Sequence, residues 1–164
     1  MKRLFLILVL FACSLAFAEE GPQAQRINIE QTVVKMTLDE GVSPEDAIDS
    51  MKLRANNLNM MFVAHQPLGK QVQAMGFESK RLEIFQFCDP LTARKMVDYA
   101  SIFAAYMPCR IALVEESDGS VSLMMLNLDM LIQGASLEGE LHDLAVDVNT
   151  KLMSIMEAGA TGDL

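Results

Sequence analysis

The order of hydropathy patterns predicts an α+β domain, with helices on one face of a mainly antiparallel sheet. About five short segments have the alternation or the apolar content typical of strands, and amphipathic segments separate several of them. The tripeptide Ser117-Asp118-Gly119 has the turn chemistry of a tight hairpin. The predicted order is strand, helix, strand, strand, helix, hairpin, helix. Few of these connections require a long parallel crossover, which favours antiparallel pairing.

The first half of the domain begins with a strand predicted at residues 34–38, where apolar and polar side chains alternate. Ser43-Pro44-Glu45-Asp46 predicts a helix start, because serine can cap a helix and proline suits its first position. A second short strand is predicted at residues 60–64, followed by a turn or two of helix at residues 70–75.

The second half contains a third strand, predicted at residues 81–88, and a helix that begins at Asp89-Pro90. Two further strands are predicted at residues 109–115 and 120–127, on either side of the hairpin turn. The last helix is predicted at residues 137–156. Its apolar side chains form a stripe that we expect to pack on the sheet: Leu141, Leu144, Ala145, Val148, Leu152 and Ile155.

Composition indicates a folded acidic domain and excludes two classes of partner. The chain has 164 residues, of which 51% are hydrophobic, and its 13 Lys+Arg against 22 Asp+Glu give a net charge of −9. Loss of Lys2 and Arg3 with a leader would leave 11 against 22, a charge of −11. This balance argues against a nucleic-acid surface, and no polybasic stretch would attract anionic lipids.

The first 18 residues have the layout of a cleaved secretory signal peptide. A basic start, Met1-Lys2-Arg3, precedes an apolar run and the small residues of Ala16-Phe17-Ala18. The run is too short for a comfortable membrane span, so we expect a periplasmic or secreted chain that begins at Glu19. An alternative is lipoprotein processing at Cys13. The chain would then comprise a signal peptide (1–18), a flexible lead-in (19–31), a single α+β domain (32–158) and a tail (159–164).

Cys88 and Cys109 are the first candidates for chemistry, because one ends a predicted strand and the other begins the next. If those strands are antiparallel neighbours, the sulfurs could form a disulfide across a separation of 21 residues. Such a bond would stabilise an exported domain by about 3 kcal/mol. Two alternatives stay open. The thiols could pack as small apolar side chains, or they could form a catalytic dithiol, which the absence of Cys-x-x-Cys spacing disfavours.

His65 and His142, the two histidines of the chain, suggest a weaker alternative. Together with cysteine and the 12 methionines of the mature chain, they could bind copper(I) or haem. Met60-Met61 and Met124-Met125 lie in strands, where successive side chains point to opposite faces, so neither pair binds a metal as a unit. We therefore predict no cofactor. Nucleophile elbows, phosphate loops and dinucleotide fingerprints are also missing from the sequence.

Two cysteine motifs carry a family resemblance. The segments Phe87-Cys88-Asp89-Pro90 and Met107-Pro108-Cys109-Arg110, followed by an apolar strand and an Asp-Gly hairpin, resemble the family catalogued as domain of unknown function 302. The likeness extends from about residue 33 to residue 130. Asp89 stands where the family often has asparagine, and either residue can cap a helix.

The resemblance implies a fold similar to that of the TATA-box-binding protein. In that fold a curved, mainly antiparallel sheet, here of about five strands, is backed by helices in two layers. It implies neither DNA binding nor an established activity, and it is compatible with a homodimer. The motif residues that it singles out beside the cysteines are Asp89, Pro90, Pro108 and Arg110.

These observations predict an exported small domain that binds and does not catalyse. Its methionine-rich apolar surface would suit a partner protein or a small apolar ligand. The alternative is a periplasmic thiol-redox protein, or a metal- or haem-binding protein, that uses Cys88 and Cys109.

Overall fold

A computed structural model describes residues 28–163 as a five-stranded sheet with helices. The strand order is β1-β5-β4-β3-β2, and each pair of neighbours is antiparallel. The predicted α+β class is thereby confirmed. The predicted leader and Cys13 lie outside the described residues. The strands are β1 (Val33–Thr37), β2 (Met61–Gln66), β3 (Leu82–Cys88), β4 (Cys109–Glu115) and β5 (Val121–Leu126).

Helices and short turns connect the strands. None of the helices between residues 28 and 163 is both long and apolar enough to cross a bilayer. The α-helices are α1 (Pro44–Asn57), α2 (Leu68–Ala74), α3 (Pro90–Tyr99), α4 (Leu128–Gly134) and α5 (Gly139–Thr161), and 3₁₀ turns lie at Ile29–Thr32 and Ser101–Tyr106.

The core lies between one face of the sheet and the pair α1 and α5. The sheet contributes alternate residues of its three central strands, which are fully buried: Phe85, Phe87, Ile111, Leu113 and Leu123. Four residues of the stripe predicted for α5 are also buried, which confirms its orientation: Leu141, Ala145, Leu152 and Ile155. The alternating apolar residues of the strands and the helically spaced apolar residues of α5 therefore pack together in a single apolar layer.

Local capping explains where two helices begin. The backbone N–H of Asp46 donates to the Ser43 hydroxyl, and the Ser43 N–H donates to the Asp46 carboxylate, which is a capping box at the start of α1. Asp89 caps α3 by accepting from the N–H groups of Leu91 and Thr92, and Pro90 is the first helical residue. Both helix starts agree with the sequence prediction.

The elements of the structure differ from the predicted ones in four places. The 3₁₀ turn Ile29–Thr32 overlaps the end of the predicted flexible lead-in. The turn Ser101–Tyr106 and helix α4 were not predicted, because both are too short for a helical period to show. Helix α5 continues to Thr161, five residues past its predicted end at residue 156.

The end of α5 is built from small residues because it approaches α1 and the sheet closely. A β-carbon on Gly159 would lie 2.6 Å from Cγ of Met51 and 2.8 Å from Cδ1 of Leu123. Ala158 and Ala160 beside it are buried. The helix ends at Gly162, whose φ of 75° is the left-handed conformation typical of a glycine that terminates a helix.

Candidate functional site

A cavity of about 460 Å³ lies at the end of the sheet where β3 stops and β4 begins. Met60, Cys88 and Cys109 border it from the strand ends. Its other walls come from α3, the turn Ser101–Tyr106, α4 and α5. A volume of this size falls within the range of roughly 300–1,000 Å³ that is usual for small-molecule sites.

The walls of the cavity are largely apolar and aromatic. Helix α3 contributes Ala93 and Met96 to the cavity wall, and Ala100 follows directly after the helix. The remaining apolar wall residues come from the turn and from α4 and α5: Ile102, Phe103, Met107, Leu128, Leu131, Ile132, Ala135, Leu137, Ala145 and Val148. This surface suits an apolar molecule, because burying apolar area is favourable whatever the exact shape of the ligand.

Three large side chains that line the cavity are also strongly exposed to solvent. Tyr99 is 72% exposed, Ile102 is 68% exposed and Tyr106 is 55% exposed. They come from the end of α3 and from the turn that follows it. Contiguous exposed apolar groups beside a cavity are typical of a ligand-binding mouth.

Asp89 is the one wall residue, within the part of the chain that the structure describes, that carries a full charge at neutral pH. Its Oδ1 accepts from the N–H groups of Leu91 (3.0 Å) and Thr92 (3.2 Å), and its Oδ2 accepts from the Thr92 hydroxyl (2.9 Å). Burial by itself raises the pKa of Asp89, but these hydrogen bonds and Lys151 outweigh burial and lower the pKa. The carboxylate is therefore ionised and engaged as a helix cap.

Cys88 and Cys109 border the same cavity, but they do not face each other across the ladder. Phe87 is opposite Cys109, and Cys88 is opposite Met61 of β2. Because successive side chains of a strand point to opposite faces, Cys88, one residue beyond Phe87, does not share the face of Cys109 in a regular strand. The two cysteines are offset by one position and are not a facing pair. Both thiols are free among the described residues.

Burial governs the acidity of both thiols. Burial, together with the neighbouring Cys88, raises the pKa of Cys109 to about 11. The pKa of Cys88 is also raised, first by burial and then by the charge of Asp89. Both groups are therefore neutral thiols at physiological pH, which makes them poor nucleophiles.

The other motif residues have positional roles. Pro90 is the first residue of α3, and Pro108 follows a cis peptide bond with Met107 directly before β4. Arg110 is exposed on β4 and does not line the cavity.

The structure places His65 in a separate polar cluster. Its Nε2 lies 2.5 Å from Oε2 of Glu83, and its ring stacks on Phe85 at a centroid distance of 4.6 Å. Glu83 is 4% exposed, and its Oε1 accepts from Nε of Arg81, which also donates to Glu45. His65 is thus engaged with a buried carboxylate, away from the residues that line the cavity.

His142 is exposed on α5, with Nδ1 3.4 Å from the carboxylate of the adjacent Asp143. The structure therefore brings neither histidine to Cys88 or Cys109. Between residues 28 and 163, no group of three or more His, Cys, Asp or Glu residues could hold a metal ion.

Sequence reasoning missed the residues that form the outer wall of the cavity. They lie on the 3₁₀ turn and on α4, which the prediction treated as connections. Two signals were available. The segment from Tyr99 to Met107 is unusually rich in apolar and aromatic residues for a loop, and Asn127 caps α4 by accepting from the N–H of Met130.

Comparison with known proteins agrees with this fold. The family model described as "Domain of unknown function DUF302" matches residues 34–159. An uncharacterized protein of Aquifex aeolicus (strain VF5) is 28% identical over 95 residues, which cover 58% of this chain and 60% of that relative. The aligned region therefore spans less than two thirds of the relative's length.

A crystal structure of an uncharacterized conserved DUF302 protein from Bacillus stearothermophilus superposes with a TM-score of 0.65 at 15% identity, covering 77% of this chain and 97% of that one. At such low identity the likeness concerns the fold alone. The match of the family model over most of the chain agrees with the resemblance carried by the two cysteine motifs, and the chain belongs to the DUF302 family.

Proposed function

We propose that this protein is a non-enzymatic binding protein that holds a small apolar molecule in the cavity. The observation that carries the proposal is the 460 Å³ space with apolar walls and an exposed aromatic mouth. A closed core would leave no such space, since protein interiors are normally packed without voids of this size. An apolar ligand would gain free energy by removing its own surface and that of the walls from water.

The chemistry of the walls supports binding in preference to catalysis. Cys88 and Cys109 are protonated at neutral pH, and Asp89 is already engaged by the N-terminus of α3. No histidine of the described chain lines the cavity. General acid–base or nucleophilic catalysis needs a group whose pKa lies near the working pH, and these groups are held far from it.

We propose that the protein works outside the cytoplasm. The support is the signal-peptide layout of residues 1–18, with the lipoprotein alternative at Cys13. The intact mass of the protein purified from whole cells in detergent decides between them. A chain beginning at Glu19 supports cleavage after Ala18, a lipid-modified chain beginning at Cys13 supports the lipoprotein, and a full-length chain contradicts both.

The fluorescence of N-phenyl-1-naphthylamine, an uncharged aromatic dye, tests ligand binding. We expect saturable enhancement that decanol, an uncharged aliphatic competitor, reverses. Ala93→Phe places a ring in the cavity from α3 and should weaken dye binding by about tenfold or more. Ala74→Phe, on the exposed surface of α2, is the matched control and should bind like the wild type.

Two further variants make the test specific. Ile132→Trp fills the cavity from α4 and provides a second site if Ala93→Phe does not fold. His65→Ala removes a side chain that does not line the cavity and should leave binding unchanged. The proposal fails if the dye does not bind, or if the filled variants bind it as well as the wild type does.

A second candidate function uses the thiols themselves, because both cysteines border one cavity. A thiol-redox role would require Cys88 and Cys109 to exchange with a disulfide, and a copper or haem site would have to combine them with methionine sulfur. Metal analysis of freshly purified protein and the redox state of the two thiols test this candidate.

A homodimer stays a prediction that light scattering can check.

A further inference from the structure

We propose that the cavity selects uncharged ligands and rejects anions, and that Asp89 is the residue that determines this selectivity. The inference rests on the proposed function, because it names the chemical class that the same site accepts. The observation that supports the inference is the distribution of charged residues on the cavity wall. No lysine, arginine or histidine lines the described cavity, while one carboxylate does.

The Asp89 charge is fixed in place by its surroundings. Three hydrogen bonds from Leu91 and Thr92 hold the two carboxylate oxygens at the N-terminus of α3. Within residues 28–163, Lys151 is the cation that pairs with Asp89, with Nζ 3.7 Å from its Oδ2, but Nζ also lies 2.6 Å from Asp147 and does not line the cavity. Among the residues that the structure describes, no free cation lies at this end of the cavity to pair with a bound anion.

Two unfavourable contributions to the binding free energy would therefore oppose the entry of an anionic ligand. It would lose its hydration in an apolar space, and it would meet the field of a carboxylate at low effective dielectric. A fatty acid would have to leave its carboxylate outside the mouth, whereas an alcohol of the same length could bury its whole chain. Neither penalty applies to an uncharged molecule. Among ligands of equal apolar area, the affinity is therefore expected to be higher for the uncharged ones.

Two dyes with the same ring system test this. N-phenyl-1-naphthylamine is uncharged, and 8-anilino-1-naphthalenesulfonate adds one sulfonate to the same skeleton. We expect the uncharged dye to bind the wild type at least about tenfold more tightly. Decanol should likewise displace the uncharged dye at concentrations about tenfold lower than decanoate does.

Asp89→Asn supplies the residue-level test. Asparagine can still cap α3, so the helix start is retained. We expect the ratio of the two dye affinities to fall by about threefold or more in this variant, because the repelling charge is gone. Asp98→Asn makes the same change of net charge at an exposed position of α3 outside the cavity and should leave the ratio unchanged.

The outcomes separate the two proposals. Equal affinities for the two dyes in the wild type overturn the charge selectivity and leave ligand binding intact. Equal effects of Asp89→Asn and Asp98→Asn overturn the role of Asp89, because net charge alone would then explain the preference. If neither the uncharged dye nor decanol binds, the proposed function fails, and the selectivity fails with it.

Discussion

Cys109 lies opposite Phe87 in the β3–β4 ladder, and this register places Cys88 one position beyond the pair. The two cysteines therefore occur at neighbouring strand ends, as the sequence predicts, but they are offset by one position in the ladder. A disulfide would require the end of β3 to depart from regular alternation. The state of the two thiols is accordingly the first property to measure.

We predict that both thiols are free in the purified protein. Denaturation and alkylation without reductant should add one group at Cys88 and one at Cys109, as read by peptide mass spectrometry. If neither residue takes up an alkyl group, a Cys88–Cys109 disulfide exists and the alternative drawn from strand order is correct.

In the native protein, Cys109 should react more slowly than Cys88. Its pKa of about 11 leaves little thiolate at neutral pH, so its rate should rise as the pH increases toward that value. Time-resolved alkylation measures both rates, and the uncharged dye should slow them by covering the cavity. Fast labelling of Cys109 at neutral pH would contradict the burial seen in the structure.

Gly159→Ala should destabilise the fold by about 1–3 kcal/mol, because the new methyl group would overlap Met51 and Leu123. This outweighs the roughly 0.5–1 kcal/mol by which alanine favours a helix over glycine. Urea unfolding measures the difference. Gly134→Ala in α4 is the matched control, since no atom of the described part of the chain lies within 4 Å of its added carbon, and it should be neutral or slightly stabilising. Equal effects of the two substitutions would contradict the close packing of α5.

Glu83→Ala should lower the free energy of unfolding by about 1–3 kcal/mol. The buried carboxylate accepts from Arg81 and contacts His65, and its removal leaves both partners beside an apolar strand. Their partial exposure limits the loss, because water can reach each of them. Glu140→Ala removes an exposed ion pair with Lys95 and should cost less than about 1 kcal/mol. A loss no larger than this control would show that the Glu83 cluster contributes little.

Asp89 should make stability depend on pH in the acid range. Its pKa is lower in the folded protein than its ordinary value of 3.8, so its contribution is present above that pH and is lost as the pH falls further. The advantage of the wild type over Asp89→Asn should therefore shrink as the pH falls through about 4. Urea unfolding of both proteins over a pH series measures this, and an advantage that grows in acid would contradict the direction of the pKa shift.

Local patterns predicted the elements whose causes lie within a few residues. The capping signals at Ser43 and Asp89 place the starts of α1 and α3 correctly, and alternation or apolar content places the five strands to within a residue or two. The same method treated the 3₁₀ turn and α4 as connections, because segments of six and seven residues are too short to show a helical period.

The residues of the candidate site also fall into those that the sequence indicated and those that it did not. Cys88, Cys109 and Asp89 were found as part of two sequence motifs, and all three border the cavity. The aromatic residues Tyr99 and Tyr106 were not singled out, because their position at the mouth depends on how the turn packs over the strand ends.

The sequence by itself determined the α+β class, the hairpin, the two capped helices and the family motifs, since each depends on spacing within a short segment. Only the tertiary structure decided the cavity, the burial of residues 158–160 and the one-residue offset between Cys88 and Cys109. These three features depend on strand register and on packing between segments distant in the chain, and neither leaves a local pattern to read.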